Sequence, residues 1–103
     1  TGGAMPALCG RVGDTPIVGC GFYAGAAGAV AATGVGEYVV RNLLSLTVYR
    51  WIESGVPLGE ALDSGLALIT KGIGIGLIAI THAQTGIAAR TSMAAAALSA
   101  RRR

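Results

Sequence analysis

The clearest periodic signal in the chain runs from Val39 to Ile52. There Val39, Val40, Leu43, Leu44, Thr47, Val48, Trp51 and Ile52 recur at three- and four-residue intervals. That spacing lines one side of a 3.6-residue repeat and predicts a single amphipathic helix. Glu37 falls in its first turn, where the helix dipole favours a negative charge, and Gly55 lies beyond its end, where a left-handed cap costs little. A second helix is predicted from Pro57, with Leu58, Leu62, Leu66 and Ile69 on one face and a stop at Lys71-Gly72. Ile75 to Thr81 is a continuous apolar strand, His82 to Gly86 a turn, and Ile87 to Met93 the returning strand of a hairpin.

Upstream, Ile17 to Ala24 and Ala27 to Ala32 are short apolar runs broken by glycine, and they predict two further strands. Thr1 to Asp14 is glycine-rich and interrupted by Pro6, which predicts an irregular loop. The order is strand, strand, helix, helix, hairpin. It implies an α+β fold in which consecutive helices lie beside a mostly antiparallel sheet, within one domain spanning 1–103.

Composition changes this picture in one respect. Apolar residues make up 52% of the chain and aromatic residues only 5%, so small side chains must fill the interior, and partners are expected to cover part of the surface. The 17 glycines fall between apolar runs without a fixed period, which fits turns and close backbone approaches instead of low complexity. No apolar run reaches the ~20 residues that cross a bilayer, with Arg41, Asn42, Arg50, Glu53, Glu60 and Asp63 interrupting the central segments, so no membrane span is expected. The start of the sequence carries no basic segment followed by an apolar core, so it does not read as a secretory precursor.

The net charge of +3 comes largely from Arg101, Arg102 and Arg103. With no interleaved aromatics and no second basic cluster, that run reads as a solvated tail and not as a nucleic-acid or lipid contact. Cys9 and Cys20 have no CxxC spacing and no neighbouring histidine, so neither a metal site nor a disulfide framework is indicated, and a reducing compartment fits best.

Two segments offer chemistry. Ala31-Ala32-Thr33-Gly34-Val35-Gly36-Glu37 places a glycine-rich bend between an apolar strand and a helix start, where backbone N–H groups can hold an anion or a developing oxyanion, with the Thr33 hydroxyl beside them. A plain strand-to-helix turn accounts for the same residues. A nucleotide loop lacks support, because no Gly-Lys-Ser/Thr follows and no dinucleotide fingerprint is complete. Gly10-Arg11-Val12-Gly13-Asp14 brings opposite charges onto one short loop. Arg11 can grip a carboxylate while Asp14 accepts from an ammonium, which would suit the zwitterionic end of an α-amino acid; a local Arg11–Asp14 ion pair bracing the loop is the plainer alternative.

The remaining features are structural on this reading. His82 is the sole histidine and lies in a predicted turn, so no Ser-His-Asp arrangement can be built. Gly72-Ile73-Gly74-Ile75-Gly76 precedes its strand and reads as a bend for tight packing, and Met5 and Met93 as gap-fillers.

Taken in order, Thr1-Gly2-Gly3, Gly10 to Ala24 and Ala32-Thr33-Gly34-Val35-Gly36-Glu37 resemble the small subunit of plant-type asparaginases, isoaspartyl peptidases and glycosylasparaginases. The likeness continues more loosely through both helices, Gly76-Leu77-Ile78-Ala79-Ile80 and Thr91-Ser92-Met93, so it covers nearly the whole chain. The resemblance implies a cytoplasmic N-terminal-nucleophile hydrolase with an αββα sandwich, made by autocleavage and assembled as a dimer of heterodimers with a large subunit. It implies no metal and no cofactor. Arg11 and Asp14 would hold the substrate's α-carboxylate and α-amino groups, with Val12, Gly13, Val35 and Gly36 completing the binding segments; Thr33 and Gly34 would form the oxyanion hole.

The activity implied is hydrolysis of the side-chain amide of asparagine or of a β-aspartyl bond. The family's nucleophilic threonine stands one strand upstream of Thr1-Gly2-Gly3, in a segment absent from this sequence, so Thr1 is expected to support and orient that nucleophile. Ala24-Gly25 departs from the acidic or Asn residue that usually follows Tyr-Ala. A non-catalytic interaction fragment of the same family is the alternative.

Overall fold

The computed structural model describes residues 9–90. Thr1, Met5, Pro6, Thr91 to Met93 and the terminal arginines therefore lie outside the described residues. The elements are β1 (Phe22–Gly25), β2 (Gly28–Gly34), α1 (Gly36–Arg41), α2 (Leu44–Glu53), α3 (Leu58–Ala67), β3 (Ile75–Ile80) and β4 (Thr85–Arg90). The strands form one antiparallel sheet in the order β1-β2-β3-β4. All three helices pack on the same side, α2 over β1 and β2 and α3 over β3 and β4. The α+β class follows directly.

Strand alternation sorts the side chains. Tyr23, Val30, Ala79 and Gly86 are aligned across the four strands toward the helices, as are Ala32, Leu77 and Ala88. Leu44, Leu62, Ile75 and Leu77 are the largest fully buried side chains, each stabilising the fold by about 1.5–3 kcal/mol relative to exposure. The small residues of the sheet let α3 approach closely: a Cβ on Gly86 would meet Leu62 Cδ1 at 2.8 Å, and one on Gly65 of α3 would meet Val48 Cγ2 at 2.7 Å. The opposite face is open. Phe22, Ala31, Ile78 and Ile87 are aligned across it, and Phe22, Ile78 and Ile87 are exposed together with Ile80.

Three expectations need correction. The single helix over Val39–Ile52 is two helices, because Asn42 caps α1 and Leu43 adopts the left-handed conformation with φ 45°. Asn42 Nδ2 donates to the Tyr38 carbonyl at 2.8 Å, and Thr47 Oγ1 donates to the Asn42 carbonyl at 2.9 Å, so side chains take up two carbonyls beside the break. The first strand begins at Phe22 and not at Ile17, because the Asp14 carbonyl accepts from both Ile17 N and Gly21 N and winds that segment into turns. The final hairpin turns earlier than expected: β4 starts at Thr85, and Thr81 N donates to the Gln84 carbonyl at 2.8 Å to close it. Gly55 has the predicted left-handed conformation, with φ 101°.

Candidate functional site

The loop that carries Arg11 and Asp14 is anchored by the helix break. A helix start leaves its first N–H groups without intrahelical partners. In α2 the loop carbonyls take them: Leu46 N donates to Gly19 O at 2.9 Å, and Ser45 N and Oγ both reach Cys20 O, the hydroxyl at 2.6 Å. Cys20 itself is fully buried, with its Sγ 3.9 Å from Val40 O. Burial pushes its thiol pKa up, and the nearby Asp14 charge adds to the rise.

Asp14 is therefore held inward and is only 4% exposed. Its Oδ2 meets no hydrogen-bond donor among the described residues. Its Oδ1 lies against the first turn of α1, where a Cβ on Gly36 would come within 2.9 Å of it, so only glycine fits there without displacing the carboxylate. Arg11 folds over Gly13 and reaches Glu37, with Nη2 3.4 Å from Oε1. The ion pair of this loop is thus Arg11–Glu37, and a local Arg11–Asp14 brace is not what forms. Glu37's own backbone N–H, and then Arg11, hold its carboxyl below the ordinary glutamate range. Arg41, one helical turn beyond Glu37, lies over the Tyr38 ring at 5.6 Å from the centroid.

Together these groups line an open hollow of ≈ 600 Å³, bounded by Arg11, Val12, Gly13, Asp14, Ile17, Gly36, Glu37, Val40 and Arg41. Five residues anticipated from the sequence thus meet around one space: Arg11, Val12, Gly13, Asp14 and Gly36. Thr33, Gly34 and Val35 do not line it. Thr33 and Gly34 end β2, opposite Gly76 and Ile75, and Val35 is the extended residue before α1. Gly34 has φ 151°, and a Cβ there would meet the Gly74 carbonyl at 2.6 Å, so the strand-to-helix junction requires its glycine.

Sequence reasoning placed Glu37 at the helix dipole and missed its pairing with Arg11. No local signal recorded that pairing, since the four-residue spacing of Glu37 and Arg41 points to Arg41 as the partner instead. Ser45, buried and essential to the loop anchor, carried no signal beyond its place inside an apolar pattern. His82 Nε2 lies 3.1 Å from the Ala26 carbonyl, joining two turns far from the hollow. Among the described residues no group of three or more His, Cys, Asp or Glu is placed to hold a metal ion, and no helix is long and apolar enough to cross a membrane.

Comparison with known proteins gives the family. The sequence model of the asparaginase family matches residues 1–102. The isoaspartyl peptidase/L-asparaginase of Danio rerio is 41% identical over 97 residues, covering 90% of this chain and 31% of the relative. The protein of the same name from Homo sapiens is 41% identical over 97 residues, covering 89% and 31%. The plant-type L-asparaginase of Pyrococcus horikoshii is 38% identical over 74 residues, covering 72% and 24%. The chain spans less than a third of the length of these curated relatives. With matches along almost its whole length, the chain belongs to the asparaginase family.

Proposed function

We propose that the protein containing this chain is an amidohydrolase that cleaves the side-chain amide of L-asparagine, β-aspartyl peptide bonds, or both, and that this chain forms the later part of its small subunit. The observation that carries the reading is Asp14: a carboxylate 4% exposed, with an oxygen that has no donor, facing the same hollow as the Arg11 guanidinium. Burying a carboxylate without a partner is costly, and such sites persist where a cationic ligand supplies the partner. An α-ammonium at Asp14 and an α-carboxylate at Arg11 are the two ends of one amino acid.

In the proposed reaction an N-terminal threonine upstream of Thr1 attacks the side-chain carbonyl carbon, and its own amino group takes the hydroxyl proton. The oxyanion is stabilised at Thr33 and Gly34. Collapse breaks the C–N bond, and the proton leaves with ammonia or with the released amino acid. Water then hydrolyses the threonyl ester to give aspartate. Thr1 orients the nucleophile. Val12, Gly13, Val35 and Gly36 shape the segments that hold the substrate, and no metal or cofactor enters the chemistry.

The open face of the sheet supports the rest of the reading. Phe22, Ile78, Ile80 and Ile87 are between 43% and 52% exposed on the face opposite the helices, and the first three flank a shallow hollow there. A second sheet from the large subunit would cover such a surface and complete an αββα sandwich, within a dimer of heterodimers in the cytoplasm. A non-catalytic interaction role draws on the same face and predicts assembly without hydrolysis.

The test uses the whole protein, with L-asparagine and a β-aspartyl dipeptide as substrates. Ammonia or amino-acid release is expected, together with a chain beginning at threonine upstream of Thr1 by intact mass. Arg11→Ala should raise KM at least about tenfold with an unchanged melting temperature. A folded, assembled protein that turns over neither substrate would sink the proposal.

A further inference from the structure

Glu37 takes no part in the reaction just described, yet it sits against the group that would receive the substrate. Arg11 is 39% exposed, and a long side chain left in water samples many rotamers. Ordering it is then a cost borne each time a ligand binds. The guanidinium runs beside Gly13 and Gly36, which have no side chain to hold it, and Glu37 Oε1 stands 3.4 Å from Nη2. The contact with Glu37 is attractive and directional.

Arg41 lies one helical turn from Glu37 and would be its natural competitor. Its guanidinium is instead placed over the Tyr38 ring, which leaves the Glu37 carboxylate to Arg11. Glu37 engages Nη2, and a guanidinium carries five N–H donors, so most of the fork stays available to a second carboxylate.

We infer that Glu37 is a positioning residue that pre-orients the Arg11 guanidinium over the hollow for the substrate's α-carboxylate. The inference rests on the amidohydrolase reading of this site. Two effects oppose each other. The Glu37 charge orders Arg11, and it also repels an incoming carboxylate. At 66% exposure water screens the repulsion between two separated anions, while the direct contact with Nη2 is retained, so ordering prevails.

The experiment is a double-mutant cycle in the whole protein with Glu37→Ala, Arg11→Lys and the pair. It reads KM and kcat for L-asparagine and, by calorimetry, the dissociation constant of L-aspartate. Glu37→Ala should raise both KM and the aspartate dissociation constant roughly two- to fivefold with kcat within about twofold, and Glu37→Gln, which keeps an acceptor oxygen, should fall between. In the Arg11→Lys background Glu37→Ala should change aspartate binding little. Because Glu37 is exposed, the melting temperature should not move. An unchanged or lowered KM, or a loss that adds in full to that of Arg11→Lys, overturns the inference while the amidohydrolase reading stands. A parent protein that turns over neither substrate removes that reading and the inference together.

Discussion

Ser45 donates its hydroxyl to the Cys20 carbonyl at 2.6 Å, across 25 positions of sequence, and so ties the first turn of α2 to the loop that carries Asp14. Both groups are buried. Replacing Ser45 by Ala leaves the carbonyl with only the longer bond from Ser45 N, at 3.4 Å. The expected loss is about 1–2 kcal/mol of stability by denaturant titration, with a higher KM as the loop loosens. Wild-type stability in Ser45→Ala would show that the anchor lies elsewhere.

Asp14→Asn should separate binding from folding. The substitution removes a buried charge that lacks a donor, so stability is expected to hold or to rise by up to about 2 kcal/mol, while substrate turnover falls by at least about a hundredfold. Thermal melts beside steady-state kinetics check this. A variant that unfolds would mark Asp14 as a structural group.

Gly36→Ala makes the complementary test. Alanine is the better helix former by about 0.8–1 kcal/mol in a helix interior, yet its Cβ would stand 2.9 Å from Asp14 Oδ1. The carboxylate must shift. KM is expected to rise about tenfold or more, with little change in circular dichroism, and an unaltered KM would mean that Asp14 does not hold substrate from this position.

Alkaline conditions report on Cys20. Burial first, and then the Asp14 charge, raise its thiol above the ordinary value of 9.0. The folded state keeps the proton to higher pH than the unfolded state does. Stability from this group is therefore complete below pH 9 and is lost as pH rises through the folded value. The melting temperature should decline less steeply above pH 9 in Cys20→Ala than in the parent, and iodoacetamide should modify Cys20 only after unfolding. Equal alkaline slopes would remove the assignment.

Much of the architecture was legible because it rests on periodicity. Leu58, Leu62 and Leu66 announced α3, and Ile75 to Ile80 announced β3. The pairing of Arg11 with Glu37 was not legible, because nothing local records that a loop folds back 26 positions to meet a helix. The turn at 17–21 was hidden for a related reason. Its residues have strand-like side chains, but the Asp14 carbonyl gathers two N–H groups and overrides them. Apolar spacing also continues smoothly through Leu43, so the helix break left no mark in the pattern.

Leu43 has a consequence for the order of folding. A leucine at φ 45° costs about 1–2 kcal/mol, and no glycine eases it. What offsets that cost includes the bonds that Ser45 and Leu46 make to the carbonyls of Cys20 and Gly19, which exist only once the loop has docked. A peptide spanning 36–53 should therefore populate one unbroken helix, detectable by amide NMR, with no left-handed residue at Leu43; a break already present in the peptide would count against this. In the whole chain α1 and α2 then separate only as the Asp14 loop arrives. On this prediction the hollow between Arg11 and Asp14 forms late in folding.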